Sequence, residues 1–228
     1  MRFPNAAKGV KRLFVAEILA FIAGIAAVAA GVLLIAFLIS GNTASESNVA
    51  GMLTMAGTGL AAGICGLAVF VLAIISFIMN ILGLFKASKD EPTFRIALFA
   101  TFVCIAFSFT GAFFNTIGNT FMQSLMEALC TAFELLMTIY VIQGIRSLAV
   151  RLNDGEMDSK GAVIFKLIFL IIVLEFVARV IVVIFGGTLA GTVSAVITLC
   201  AAVLSIIQYI LYLSYLSKGA KMLANAKA

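Results

Sequence analysis

The sequence contains no histidine and no tryptophan, and its two prolines, Pro4 and Pro92, lie outside the long apolar runs. Without histidine, the chain lacks the commonest general base, proton relay and metal ligand of proteins. Without tryptophan, it lacks the usual aromatic anchor at the membrane interface. The positions of the prolines predict that no helix is interrupted, which argues against transporters built from proline-broken helices.

Charged residues are also scarce. They make up 11% of the 228 residues, whereas hydrophobic residues make up 64% and the mean hydropathy is +1.22. A water-facing surface needs more charges than this, so most of the surface must face lipid. The apolar runs are continuous rather than alternating, which is typical of spanning helices and not of barrel strands. The sequence therefore predicts an all-α integral membrane protein.

The four cysteines, Cys65, Cys104, Cys130 and Cys200, stand singly in the apolar runs and form no CxxC motif. This spacing argues against a zinc site or a redox motif. A buried cysteine usually packs as a small hydrophobic side chain. We therefore expect no metal, no cofactor and no disulfide.

Six transmembrane spans with short loops are predicted, at residues 13–39, 59–85, 96–114, 123–145, 162–185 and 192–216. Each is long enough to cross a hydrocarbon layer of about 30 Å. The apolar stretch at residues 51–85 is too long for one upright crossing. We expect its glycine-rich beginning, residues 51–59, to form a separate short element at the outer surface. The chain as a whole, residues 1–228, is predicted to form a single polytopic membrane domain.

The basic residues predict the orientation. All but two of the 15 lysines and arginines lie before the first span, in the loops after the second and fourth spans, or after the last span. The other three loops contain no basic residue. The positive-inside rule then places both termini in the cytoplasm of a multi-pass cell-membrane protein. Such short basic clusters meet anionic lipid, so we expect no nucleic-acid binding.

Small residues at helical spacing predict how the bundle packs. The first span has Gly24 and Gly31 on one face, and the second has Gly59, Gly63 and Gly66. Helices in lipid associate through close packing and interhelical hydrogen bonds, which small residues permit. We expect these glycines to lie at helix–helix contacts of a tight six-helix bundle.

Polar residues deep in the spans are the candidate functional site. They are Glu127, Thr131, Glu134 and Thr138 on one face of the fourth helix, Glu175 and Arg179 on the fifth, and Gln208 on the sixth. A charge near the bilayer centre costs about 3 kcal/mol on insertion scales, so such residues face inward and need partners or protonation. We expect Arg179 to bridge Glu175 and Glu127, with Glu134 protonated much of the time.

Two interpretations of these residues stay open. A protonatable glutamate on a threonine-lined face is what a proton- or cation-coupled site uses, which favours a small transporter or a membrane subunit of a transport system. A buried Glu–Arg pair can instead fix which helices are neighbours. That role suits a non-catalytic scaffold or a regulatory protein that binds a partner membrane protein or a second copy of itself.

The sequence contains no motif that is typical of an enzyme. It has no histidine, no GxSxG motif and no cluster of acidic metal ligands. We therefore expect a protein that is not an enzyme, with the lipid bilayer as its main surrounding.

Overall fold

The computed structural model describes the backbone of residues 3–43, 49–185 and 187–226, and the side chains of 3–39, 57, 59–178, 180–181 and 192–226. In these ranges the chain consists of helices joined by short turns. The helices are α1 Pro4–Thr43, α2 Val49–Ala87, α3 Thr93–Thr116, α4 Thr120–Arg151, α5 Gly155–Phe185 and α6 Gly187–Asn225.

The predicted number and order of helices are confirmed within the described residues, because each of the six predicted spans lies inside one helix. The helices extend beyond the apolar runs, since polar and charged residues at their ends continue the same backbone hydrogen bonding. α4, for example, continues to Arg151, which lies in its last turn. All six contain a segment long and apolar enough to cross a membrane. Six such helices indicate a multi-pass membrane protein in contact with lipid.

The predicted break at residues 51–59 is wrong. α2 is one continuous helix of 39 residues from Val49 to Ala87, about 58 Å long at the usual rise. In an apolar surrounding, backbone N–H and C=O groups have no water to bind, so a helix satisfies them best even where glycine lowers helix propensity.

The chain divides into two compact units, residues Arg12–Leu82 and residues Met1–Lys11 with Gly83–Ala228. In the larger unit, the largest fully buried side chains come from the helix ends where basic residues cluster in the sequence. They include Val10 of α1, Leu84 of α2, Phe94 of α3, Leu148 of α4, and Tyr215, Leu216 and Leu223 of α6. This end of the unit therefore holds its hydrophobic core.

Polar contacts reinforce the same end of the larger unit. Asp90, in the turn between α2 and α3, caps the start of α1. It accepts hydrogen bonds from Asn5 Nδ2 at 2.9 Å and from the backbone N–H of Ala6 at 2.7 Å. Its neighbour Glu91 is buried and pairs with Arg151 Nη2 at 2.9 Å. These contacts join the beginning of α1 and the end of α4 to one short turn.

Two glycines allow close helix contacts in this core. A Cβ on Gly9 would lie 2.6 Å from the carbonyl oxygen of Gly83 and 2.7 Å from the backbone nitrogen of Ala87. A Cβ on Gly144 would lie 2.8 Å from the Phe94 ring. Neither position accepts a larger residue without moving the neighbouring helix or a buried ring.

The predicted glycine contacts of the first two spans are mostly wrong within the described part of the chain. A Cβ on Gly24, Gly31, Gly63 or Gly66 would meet no described atom of another segment within 4 Å. Only Gly59, among the predicted set, lies against a side chain, with the Phe37 ring 3.0 Å from the position of its Cβ. α1 and α2 also meet where Ser76 Oγ donates to the carbonyl oxygen of Ala16 at 2.8 Å. Small size permits a close contact but does not create one.

Candidate polar groove between two helices

The turn between α3 and α4 holds these helices as an antiparallel pair. Gly118 has a φ of 74°, a left-handed conformation that glycine adopts without steric cost. Asn119 then caps α4, because its side chain accepts the backbone N–H of Met122 at 3.1 Å. Two helical turns before Gly118, a Cβ on Gly111 of α3 would lie 3.3 Å from Met126 Cβ of α4. The two helices are therefore in close contact at this level as well.

A groove with a volume of about 450 Å³ runs between these two helices. It is lined by Phe107, Ser108, Gly111, Ala112 and Asn115 of α3 and by Gln123, Glu127, Cys130, Thr131 and Glu134 of α4. Polar side chains therefore occupy both walls of a groove within segments apolar enough to span a membrane.

The two carboxylates of the groove have different neighbours. Glu127 Oε1 accepts a hydrogen bond from Gln123 Nε2 at 2.8 Å, one turn nearer the α3–α4 turn. Glu134 Oε1 lies 3.6 Å from Cys104 Sγ and 3.8 Å from Cys130 Sγ. Neither glutamate is part of an ion pair among the described side chains. The groove thus presents two acidic groups that form no ion pair within the described part of the chain.

Hydroxyl groups in and beside the groove donate to their own helices. Thr131 Oγ1 donates to the carbonyl oxygen of Glu127 at 3.0 Å, and Thr138 Oγ1 donates to that of Glu134 at 3.1 Å. Ser108 Oγ donates to the carbonyl oxygen of Cys104 at 3.0 Å. Each hydroxyl proton is thereby used, which leaves oxygen lone pairs to accept a proton donor or a cation. Together with the carboxylates, these groups offer oxygen ligands.

The predicted site residues fall into two groups. Glu127, Thr131 and Glu134 line the groove, whereas Thr138 lies one turn beyond it. Glu175 on α5 is exposed and Gln208 on α6 is partly buried, and neither lines the groove. The predicted bridge from Arg179 to Glu175 and Glu127 lies outside the described side chains.

Cys104 and Cys130 form a disulfide between α3 and α4, with a Cα–Cα distance of 4.6 Å. The expectation of no disulfide is therefore wrong for this pair. That expectation considered each cysteine within its own helix, whereas pairing depends on the hairpin. The two residues lie at similar distances along the chain from Gly118, which is the signal that identifies them as neighbours. Cys65 and Cys200 are free.

The polar wall contributed by α3 was also missed as part of a site. Ser108 and Asn115 lie seven residues apart on α3, and this helical spacing is the signal that could have identified them. Because the turn between α3 and α4 is short, the polar faces of these two helices lie opposite each other. Gln123, which binds Glu127, belongs to the same arrangement.

The comparisons with known proteins identify no relative. No protein-family model matches the chain, and no significant match is found among curated proteins or solved structures.

Proposed function

We propose that this chain is a small membrane transport protein, or the membrane subunit of a transport system, whose groove between α3 and α4 admits protons or small cations. One observation carries this proposal. Glu127 and Glu134 share an open polar groove with hydroxyl and amide oxygens, and no described ion pair neutralises either carboxylate.

The energetics of the membrane favour this function. An ionised carboxylate in hydrocarbon is costly, so it faces water, takes up a proton or binds a cation. Glu127 and Glu134 are separated by two helical turns, about 10 Å along α4. A cation that enters from the α3–α4 turn meets Glu127 first and Glu134 second. Two successive acidic positions therefore mark a path along the groove.

The orientation forms part of the proposal. The asymmetry of lysine and arginine supports an orientation with both termini in the cytoplasm. The α3–α4 turn then lies on the outer side. Glu134 lies about 21 Å along the axis from Thr120, where α4 begins, and so near mid-membrane.

Ion flux in reconstituted vesicles tests this function. The purified chain is placed in liposomes that contain a pH-sensitive dye, and proton flux is driven by an imposed potential, with Na⁺, K⁺ and divalent cations assayed in parallel. We expect flux above that of empty liposomes, and a decrease of about tenfold or more in Glu134→Gln because the deeper acidic position is lost.

The matched control is Glu156→Gln, since Glu156 is an exposed acid near the start of α5 that pairs with Lys160 outside the groove. Its flux should equal that of the unmodified chain. The proposal fails if the unmodified chain gives no flux above empty liposomes for any of these ions, or if Glu134→Gln leaves the flux unchanged.

A second proposal is a non-catalytic scaffold or regulatory protein that binds another membrane helix, from a partner protein or a second copy. The observation in its favour is that Gly24 and Gly31 of α1 and Gly63 and Gly66 of α2 meet no described atom within 4 Å. Small residues let an incoming helix approach closely. Cross-linking in membranes tests it: Gly31→Leu and Gly63→Leu should abolish a cross-linked complex while leaving ion flux unchanged.

A further inference from the structure

We propose that Cys104, Cys130 and Glu134 form a binding site for a thiophilic divalent cation of the Zn²⁺ class, which is available when the Cys104–Cys130 disulfide is reduced. The inference deepens the proposed function, on which it rests for the route of entry, because it names the cation that the deep end of the groove accepts. It differs from the sequence-based expectation of no metal site.

The positions of the three ligand atoms support the site. The two sulfur atoms and a carboxylate oxygen of Glu134 all lie within 4.8 Å of one another. In a tetrahedral zinc site with usual bond lengths, sulfur and oxygen ligands are about 3.5 Å apart. Glu134 Oε1 already lies 3.6 Å and 3.8 Å from the two sulfurs. On reduction, the sulfurs must separate to about 3.7 Å, the spacing of two thiolates on one zinc ion.

The backbone holds these ligands at one level of the hairpin. Cys130 and Glu134 are four residues apart on α4 and therefore share a helix face. Cys104 reaches them from α3, where the Cα–Cα distance to Cys130 is 4.6 Å. Ser108 Oγ lies 3.3 Å from Cys130 Sγ, so a hydroxyl lies next to these ligands. Water or this hydroxyl would complete four-coordination.

The chemistry of the ligands selects the cation. Thiolates favour zinc and other soft or borderline metals, whereas Mg²⁺ and Ca²⁺ prefer oxygen ligands alone. Two thiolates and one carboxylate carry three negative charges, and a divalent cation neutralises two of them. This neutralisation is more favourable within a membrane than in bulk water, because the surrounding lipid lowers the effective dielectric constant.

Electrons and protons balance in the change from the disulfide to the reduced, cation-binding form. An external thiol reductant supplies two electrons and two protons to the disulfide and is itself oxidised to a disulfide. The two cysteine thiols then release their protons as the cation binds, since the thiolate is the metal ligand. Oxidation reverses the first step and removes the site. Cation binding is therefore expected only under reducing conditions.

Cadmium absorption tests the site directly. The full chain carrying Cys65→Ser and Cys200→Ser is purified in detergent and titrated with Cd²⁺, with and without a phosphine reductant. We expect the ultraviolet charge-transfer band of cadmium thiolate to saturate at one cation per reduced chain and to be absent from the oxidised chain. Added Zn²⁺ should remove the band by competition.

Matched variants identify the ligands. Cys104→Ser should abolish the band, and Glu134→Gln should weaken cadmium binding about tenfold or more. Glu156→Gln should bind as the parent chain does, because that glutamate lies outside the groove, near the start of α5. Far-ultraviolet circular dichroism shows that each variant keeps its helix content.

Three results would overturn the inference: no band in the reduced chain, a band that survives in Cys104→Ser, or equal affinity in Glu134→Gln. Its failure is distinguishable from failure of the proposed function. Proton flux without cadmium binding would overturn the metal site alone. Cadmium binding by a chain that gives no ion flux would overturn the transport proposal alone.

Discussion

Glu134 on α4 places its Oε1 3.6 Å from the sulfur of Cys104 on α3. This contact joins the acidic face of one helix to the disulfide that links the two helices. It lies at the deep end of the groove, on the side away from the α3–α4 turn. Within the described part of the chain, this hairpin thus brings one carboxylate and two cysteines together.

Alkylation under denaturing conditions measures the disulfide. Without reductant, two cysteines, Cys65 and Cys200, should react with an alkylating reagent, because these are free. After reduction, all four cysteines of the chain should react. Mass spectrometry counts the added groups. Reaction of Cys104 and Cys130 before reduction, in protein purified without reductant, would contradict the pairing.

The Gly9 contact predicts a loss of stability. In Gly9→Ala the new methyl group would lie 2.6 Å from the Gly83 carbonyl oxygen, so α1 and the end of α2 must separate. Overpacking of this kind typically costs about 1–3 kcal/mol, measured as the free energy of unfolding in detergent. Gly24→Ala on the same helix is the control, because no described atom lies within 4 Å of its Cβ position. Equal loss in both variants would contradict the assigned contact.

The pair of Glu91 and Arg151 predicts a second effect on stability. Glu91 is buried, forms an ion pair with Arg151 and accepts a hydrogen bond from Thr93 Oγ1 at 2.8 Å. Arg151→Ala leaves this carboxylate without its cation, and an unsatisfied buried group costs about 1–3 kcal/mol. Since half of the Arg151 side chain is exposed, we expect the lower part of that range.

Thermal unfolding in detergent checks this pair. Lys160→Ala is the control, because its partner Glu156 is exposed and an exposed ion pair adds little stability. An unfolding midpoint for Arg151→Ala equal to that of the unmodified chain would show that the ion pair does not stabilise the core.

Much of the fold could be predicted from the sequence, because hydropathy in long runs determines spanning helices almost directly. The six spans and their order follow from it. The continuity of α2 through Gly51 and Gly59 could not be read from glycine content, since the cost of unsatisfied backbone groups in lipid outweighs helix propensity. Contacts between helices could be predicted less well than the helices themselves. Gly9 and Gly24 are both glycines of α1, yet only Gly9 makes a close contact with another segment among the described residues.

One wall of the candidate site was predicted from the sequence, and the other was not. The α4 face with Glu127, Thr131 and Glu134 follows from helical spacing within one segment. The opposing wall and the disulfide depend on how two helices pack against each other. The periodicity of a single helix gives no information about that packing. Counting residues outward from Ile117, the C-cap of α3, would have aligned Cys104 with Cys130. Whether Glu175 and Gln208 belong to the same function stays a prediction.

Water access to position 134 tests the central claim, that the groove is a polar path within the membrane. The native cysteines are replaced by serine, Glu134→Cys is introduced, and an impermeant thiol reagent is applied to either side of sealed vesicles. Leu136→Cys is the matched control at the same depth, because Leu136 is exposed on α4 but does not line the groove. We predict labelling of position 134 from the outer side and none at 136. A folded protein in which position 134 reacts from neither side would contradict the account and favour a partner-binding protein.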